Sequence, residues 1–265
     1  MKKWLSGALV LPVFVGLLAG CVRDGAAEDL HQEAAAEDML NAAAMREELF
    51  ALAAEVGADH GGRVGIAVAT GEDVIHVGLS GNSYAWSTIK VPVAVVADRE
   101  GVATDDLIEA AISSSDNEAA YYLSQAIDHD LADLDHAPEL AELPGETFWT
   151  LKEQAQFAAQ LPCVDTAGTT YAAMADIVDW QQYGLANIKG AHFKGGWGLD
   201  GPMLYAVRQI GTVPVKGGYV GVAIMSYPDD GDHDTGVDIL DALSLGIADL
   251  IDTHALGSAA ICTAR

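Results

Sequence analysis

The sequence predicts an α+β fold, in which one antiparallel sheet is built from the N- and C-terminal parts of the chain and a helical lobe is inserted between them. Three observations point there. Strand-like runs occupy residues 63–69 and 73–77 near the start, and 205–215 and 219–226 near the end. Between them, from Ser87 to about residue 190, apolar residues recur mainly at helical spacing. At 265 residues, 51% of them hydrophobic, the chain is long enough to bury a sizeable core.

The N-terminus reads as a targeting segment. Lys2 and Lys3 precede an apolar stretch over 5–18, which closes on the small residues of Leu18-Ala19-Gly20-Cys21. This resembles the lipobox of bacterial lipoproteins, which implies a signal peptide over 1–20 and lipid attached to Cys21. An ordinary secretory signal or an uncleaved anchor is the alternative, although the apolar run is short for a span. Residues 21–40, rich in Ala, Glu and Asp, read as an acidic flexible tether from the membrane to a domain over 41–265. A net charge of −26 leaves little to attract nucleic-acid phosphates and implies a heavily solvated surface.

The domain opens with a packed helix over 40–57, where Leu40, Ala44, Leu49, Leu52 and Val56 keep helical spacing. Gly61 and Gly62 break it, and a turn at Thr70-Gly71-Glu72 joins the first two strands. The helical lobe is expected over about 101–190. Within it Thr104 caps a helix holding Leu107, Ile108, Ala111 and Ile112. Residues 150–161 and 171–183 are amphipathic, the second placing Ile177, Val178 and Trp180 at core-like positions. Lys216-Gly217-Gly218 joins the last two strands, and an apolar helix over 236–251 ends the domain.

Three short motifs carry the chemistry. Ser87 and Lys90 stand three apart at the start of an apolar helix, so hydroxyl and amine share a face. A serine needs a base beside it, and an amine serves once burial or a neighbouring cation lowers its pKa. The bland reading is a capping serine and a snorkelling lysine. Ser115-Asp116-Asn117 offers a proton relay and an amide, or simply an N-cap. Lys194-Gly195-Gly196 offers a cation and a bare strand that a substrate backbone can approach, or simply a turn.

Taken in this order, the motifs resemble those of the class A β-lactamase and penicillin-binding serine acyltransferase superfamily. Arg63-Val64-Gly65 is similar to that family's first strand, and Ile177-Val178-Asp179-Trp180 to the helix before its lysine strand. The resemblance implies a β-lactamase/transpeptidase-like fold over about 45–255. It implies Ser87 as the acylated nucleophile, Lys90 as its base and Ser115 as a relay to the leaving group. Asn117 would hold the substrate amide. Lys194 would attract a substrate carboxylate and help keep Lys90 neutral, with Gly195 and Gly196 beside the bound substrate. The N–H groups of Ser87 and Trp197 would form the oxyanion hole. It implies no cofactor, a monomer, and a small-molecule or peptidoglycan-peptide substrate.

Two departures stand out. Gly195 replaces the family's usual hydroxyl residue. In Ala137-Pro138-Glu139-Leu140-Ala141, alanines replace the glutamate and asparagine that hold the deacylating water in class A enzymes. An acyl-enzyme that forms and then lasts is therefore expected. A catalytically weak, surface-tethered binding or scaffold protein is the second function class. If Cys21 carries lipid, Cys163 and Cys262 remain to bridge in an oxidising compartment. No His or Cys stands near them at metal-ligand spacing, so no metal site is expected.

Overall fold

The structure, a computed structural model, describes residues 23–70, 73–254, 256 and 257. The leader, Cys21, Cys262 and the turn residues Gly71 and Glu72 lie outside the described residues. The chain divides into two compact units, Met1–Asn41 and Ala42–Arg265. Helix α1 runs Arg23–His60, so the stretch expected to be a flexible tether is helical from Arg23 onward. Its alanines and glutamates, among the better helix formers, account for that. No helix among the described residues is long and apolar enough to cross a membrane.

In the second unit, α1 buries Met45, Leu49, Ala53 and Val56, which lie on one helical face. Strands β1 (Gly62–Thr70) and β2 (Asp73–Gly78) form the first hairpin. Strands β3 (His192–Gly201), β4 (Leu204–Val215) and β5 (Gly218–Pro228) form a meander. Antiparallel pairing of β1 with β5, Val64 opposite Ser226, merges them into one sheet of order β2-β1-β5-β4-β3. The two chain ends thus build a single sheet, and β3 forms one of its edges.

Alternation along β5 sorts the packing. Val220, Val222 and Ile224 face the larger core with Ile239, Leu240 and Leu243 of α7 (His233–His254). Ala223, Met225 and Tyr227 face the opposite side, against Leu151, Ala155 and Ala159 of α5 (Leu151–Val164). Gly221 must be glycine there, since a Cβ would lie 2.0 Å from Ala155 O. Thr150 starts α5 with a capping box, its side chain accepting from Glu153 N while Glu153 reaches back.

Between β2 and β3 lie α2 (Lys90–Arg99), α3 (Asp105–Ile112), α4 (Asn117–Ala126), α5 and the short α6 (Thr169–Ala173). Thr104 caps α3, as expected. The expected helix over 171–183 does not form. Met174 O accepts from Phe193 N on β3 and Val178 N donates to Ser113 O, so these groups are bound away from a helical ladder. A 3₁₀ turn at Asp179–Gln181 follows, and Trp180 is 67% exposed where the spacing had placed it in the core.

Candidate active site

Ser87 sits in a 3₁₀ turn, Trp86–Ile89, which runs directly into α2. The sequence had placed it on the helix itself. Pro92, third in α2, is tolerated because the first N–H groups of a helix have no intrahelical acceptor. The turn is held from several sides. Ala85 N donates to Thr147 O at 2.7 Å, Thr88 Oγ1 donates to Ala85 O at 2.6 Å, and Gln154 Nε2 donates to Thr88 Oγ1 at 3.2 Å. Trp86, immediately before the serine, has φ 51°, an uncommon left-handed conformation for a bulky residue. Its indole N–H donates to Asp200 Oδ1 at 3.0 Å, and Tyr227 O–H donates to the other oxygen of Asp200.

The second motif meets the first at Lys90. Asp116, with its side chain accepting from Ala119 N at 2.8 Å, is the residue that caps α4. That leaves Ser115 and Asn117 to face the buried amine. Lys90 Nζ donates to Ser115 O (2.6 Å), Ser115 Oγ (3.2 Å) and Asn117 Oδ1 (2.7 Å). None of these bonds reaches Ser87, so the expected Ser87–Lys90 contact is not made in this state. Asn117, expected to hold a substrate amide, is engaged with Lys90. Ser115 itself has φ 59°, a second left-handed residue at the site.

Lys194 of β3 completes the cluster. Its Nζ lies 3.0 Å from Ser115 Oγ and donates to Gly195 O at 2.9 Å, and the side chain is fully buried. Burial lowers the pKa of Lys90 to about 8, with nearby Asp116 opposing the shift. Burial, and then the charge of Lys90, push Lys194 well below the usual lysine range. The like-charge effect therefore falls on Lys194, whereas the family resemblance implied the reverse. Ser115 Oγ accepts from both Lys90 Nζ and Lys194 Nζ, so the hydroxyl lies between the two amines.

Gly196 brings the third motif against Ser87. A Cβ there would lie 2.7 Å from Ser87 N and 3.0 Å from Thr88 N, so only glycine allows β3 to run this close. The strand carrying the Trp197 N–H thereby lies alongside the Ser87 N–H, the pair expected to form an oxyanion hole. Gly195 has its own explanation: a Cβ would lie 2.9 Å from the buried hydroxyl of Tyr183. Trp197 packs edge-on against Trp180, with ring centroids 5.9 Å apart.

The segment Ala137-Pro138-Glu139-Leu140-Ala141 offers no carboxylate in a buried position. Ala137 is half-buried against the core, Ala141 N donates to Thr147 Oγ1 at 2.9 Å, and Glu139 is exposed. Cys163 on α5 is disulfide-bonded. Among the described residues no group of three or more His, Cys, Asp or Glu side chains could hold a metal.

Sequence reasoning missed Arg208. It is fully buried on β4, opposite Gly196, and donates to Ser83 Oγ (3.2 Å), Tyr84 O (2.7 Å) and Trp149 O (2.9 Å). Burial lowers its pKa to about 10. It pins the segment leading into the Ser87 turn to α5's approach. The available signal was an arginine in the middle of an otherwise apolar strand.

The site thus consists of a serine turn beside two buried lysines, Lys90 of α2 and Lys194 of the edge strand β3, that share the Ser115 hydroxyl. Comparison with solved structures gives the fold its class. A class A β-lactamase from Bacteroides cellulosilyticus superposes with a TM-score of 0.64 at 14% identity, covering 79% of this chain and 99% of that one. A β-lactamase from Xanthomonas campestris gives 0.61 at 19% identity, over 78% and 98%. One from Sphaerobacter thermophilus gives 0.58 at 18% identity, over 75% and 95%. The chain therefore has the α+β fold of class A β-lactamases. No family model and no curated protein matches the sequence.

Proposed function

We propose that this chain is an exported, lipid-anchored serine acyl hydrolase or acyltransferase that forms an acyl-enzyme at Ser87 and deacylates slowly. The observation that carries the reading is the Ser115 hydroxyl held between Lys90 and Lys194, next to the point where Gly196 abuts Ser87. Burying two lysines is costly, and amines with depressed pKa values beside a hydroxyl cluster at functional sites. In acylation Ser87 Oγ attacks the acyl carbon as neutral Lys90 takes its proton, the Ser87–Lys90 bond tightening when substrate is present. Lys90 returns the proton through Ser115 to the leaving group. The N–H groups of Ser87 and Trp197 stabilise the developing oxyanion, a contribution of about 3 kcal/mol per donor.

Slow deacylation is supported by the alanines at 137 and 141 and by the exposure of Glu139. Lipid anchoring is supported by the sequence around Cys21 alone. The reading is tested with an activated p-nitrophenyl ester. A burst of about one equivalent of p-nitrophenolate per protein, followed by a slow steady state, is the expected result. Absence of a burst with linear fast turnover contradicts slow deacylation, and absence of any reaction above the Ser87→Ala background contradicts the enzyme.

A further inference from the structure

We propose that Asp200 is a positioning residue for acyl transfer, holding through the Trp86 indole the turn that presents Ser87. The inference rests on the serine acyl-transfer reading and adds a residue to it. Alternate residues of β3 share one face of the strand, and from Lys194 onward that face follows the Ser87 segment. Lys194 Nζ lies at Ser115 Oγ, and Gly196 lies against Ser87 N, where a Cβ would come within 2.7 Å. Gly198 lies against the Trp86 ring, since a Cβ there would sit 2.5 Å from its carbons. Asp200 comes next and accepts from the indole N–H at 3.0 Å. The register with β4 shifts between Leu199 and Gly201, an irregularity of the kind that re-aims a side chain.

The backbone of Trp86 requires such a hold. At φ 51° it is left-handed, a conformation that a bulky residue keeps only where its surroundings over-determine it. The next peptide carries the Ser87 N–H, so a relaxed Trp86 would turn both that donor and the serine side chain. Asp200 has both oxygens fixed: Oδ1 takes the indole, and Oδ2 takes the Tyr227 O–H from β5. Burial, and then the bond to Asp200, raise the Tyr227 pKa to about 12, so the phenol keeps the proton it donates. The carboxylate also acts on Arg208, whose pKa burial lowers and the Asp200 charge raises. Asp200→Asn divides these two effects, because it removes the charge and keeps an oxygen for the indole.

The test is the rate at which an uncharged fluorophosphonate labels Ser87, followed by intact-protein mass and resolved into a limiting rate and a half-saturating concentration. The proteins are the wild type, Asp200→Ala, Trp86→Phe, the double variant and Asp200→Asn. Asp200→Ala and Trp86→Phe, which keeps an aromatic ring and loses the N–H, should each lower the limiting rate about tenfold with half-saturation unchanged. The double variant should be no slower than either alone, because both changes remove the same bond. Asp200→Asn should stay within about threefold of the wild type. A wild-type rate in Trp86→Phe would overturn the proposal. So would multiplied losses in the double variant, a loss carried by half-saturation, or an Asn variant as slow as the Ala variant. Should Asp200→Ala fail to fold, Trp86→Phe decides alone, with a thermal melt to show that it is folded. No label on wild-type Ser87 removes the acyl-transfer reading and this role together, whereas wild-type labelling that every variant reproduces removes this role alone.

Discussion

Acylation by this site should rise with pH across neutrality. Lys90 accepts a proton only when neutral, and burial sets its pKa at about 8. At pH 7 about one-tenth of the molecules then carry a neutral Lys90, and at pH 9 about nine-tenths do, so the rate should climb roughly ninefold and level above pH 9. Burial, and then the charge of Lys90, also push Lys194 well below the usual lysine range. The same shift has a stability counterpart. Between pH 8 and 10.5 the unfolded chain holds a proton that the folded one has lost, so Lys90's contribution to stability rises with pH through that window. Below it the penalty is about 3 kcal/mol. The assay is the quenched rate of Ser87 adduct formation from pH 6 to 9.5, with Ser87→Ala giving the background. Lys90→Arg, which cannot lose its proton, should lower the plateau by about 10²–10⁴-fold. A flat profile in the wild type, or an Arg variant with the wild-type rate, would refute Lys90 as the base.

Three further outcomes follow from the same geometry. Gly196→Ala places a methyl 2.7 Å from Ser87 N and should push β3 off the nucleophile turn, lowering the acylation rate about 10²–10³-fold, read by adduct kinetics beside a thermal melt. Ala137→Glu with Ala141→Asn should shorten the adduct lifetime, measured by decay of the intact-protein adduct mass, if a missing general base is what makes deacylation slow. Cys21→Ser should abolish metabolic lipid labelling and membrane association of the full chain; a wild type without added mass at Cys21 would defeat the anchor.

What the sequence made legible was local. The three motifs, the Thr104 cap and the hairpin at Lys216-Gly217-Gly218 depend on spacing, caps and alternation that neighbours in sequence dictate. What it hid depends on long-range packing. Trp180 had the spacing of a buried helical residue, but Met174 and Val178 give their backbone bonds to β3 and the Ser113 loop, and the ring faces solvent. Lys194 was expected to offer its charge to a substrate, yet its side chain is fully buried and donates to Ser115 Oγ and Gly195 O. Arg208, Tyr183 and the Trp86–Asp200 bond join segments far apart in sequence, and no local pattern announces them. The helical start at Arg23 was also missed, because a polar Ala/Glu-rich stretch suits a solvated helix as well as a tether.

The central claim is that Ser87 is the nucleophile of this site, and covalent labelling tests it most directly. The full chain is treated with an uncharged fluorophosphonate, its intact mass recorded, and the modified peptide sequenced. One probe equivalent per chain at Ser87, absent from a folded Ser87→Ala variant, is the predicted result. No adduct on the folded wild type, or an adduct that persists in Ser87→Ala or maps to Ser113, Ser114 or Ser115, would contradict it.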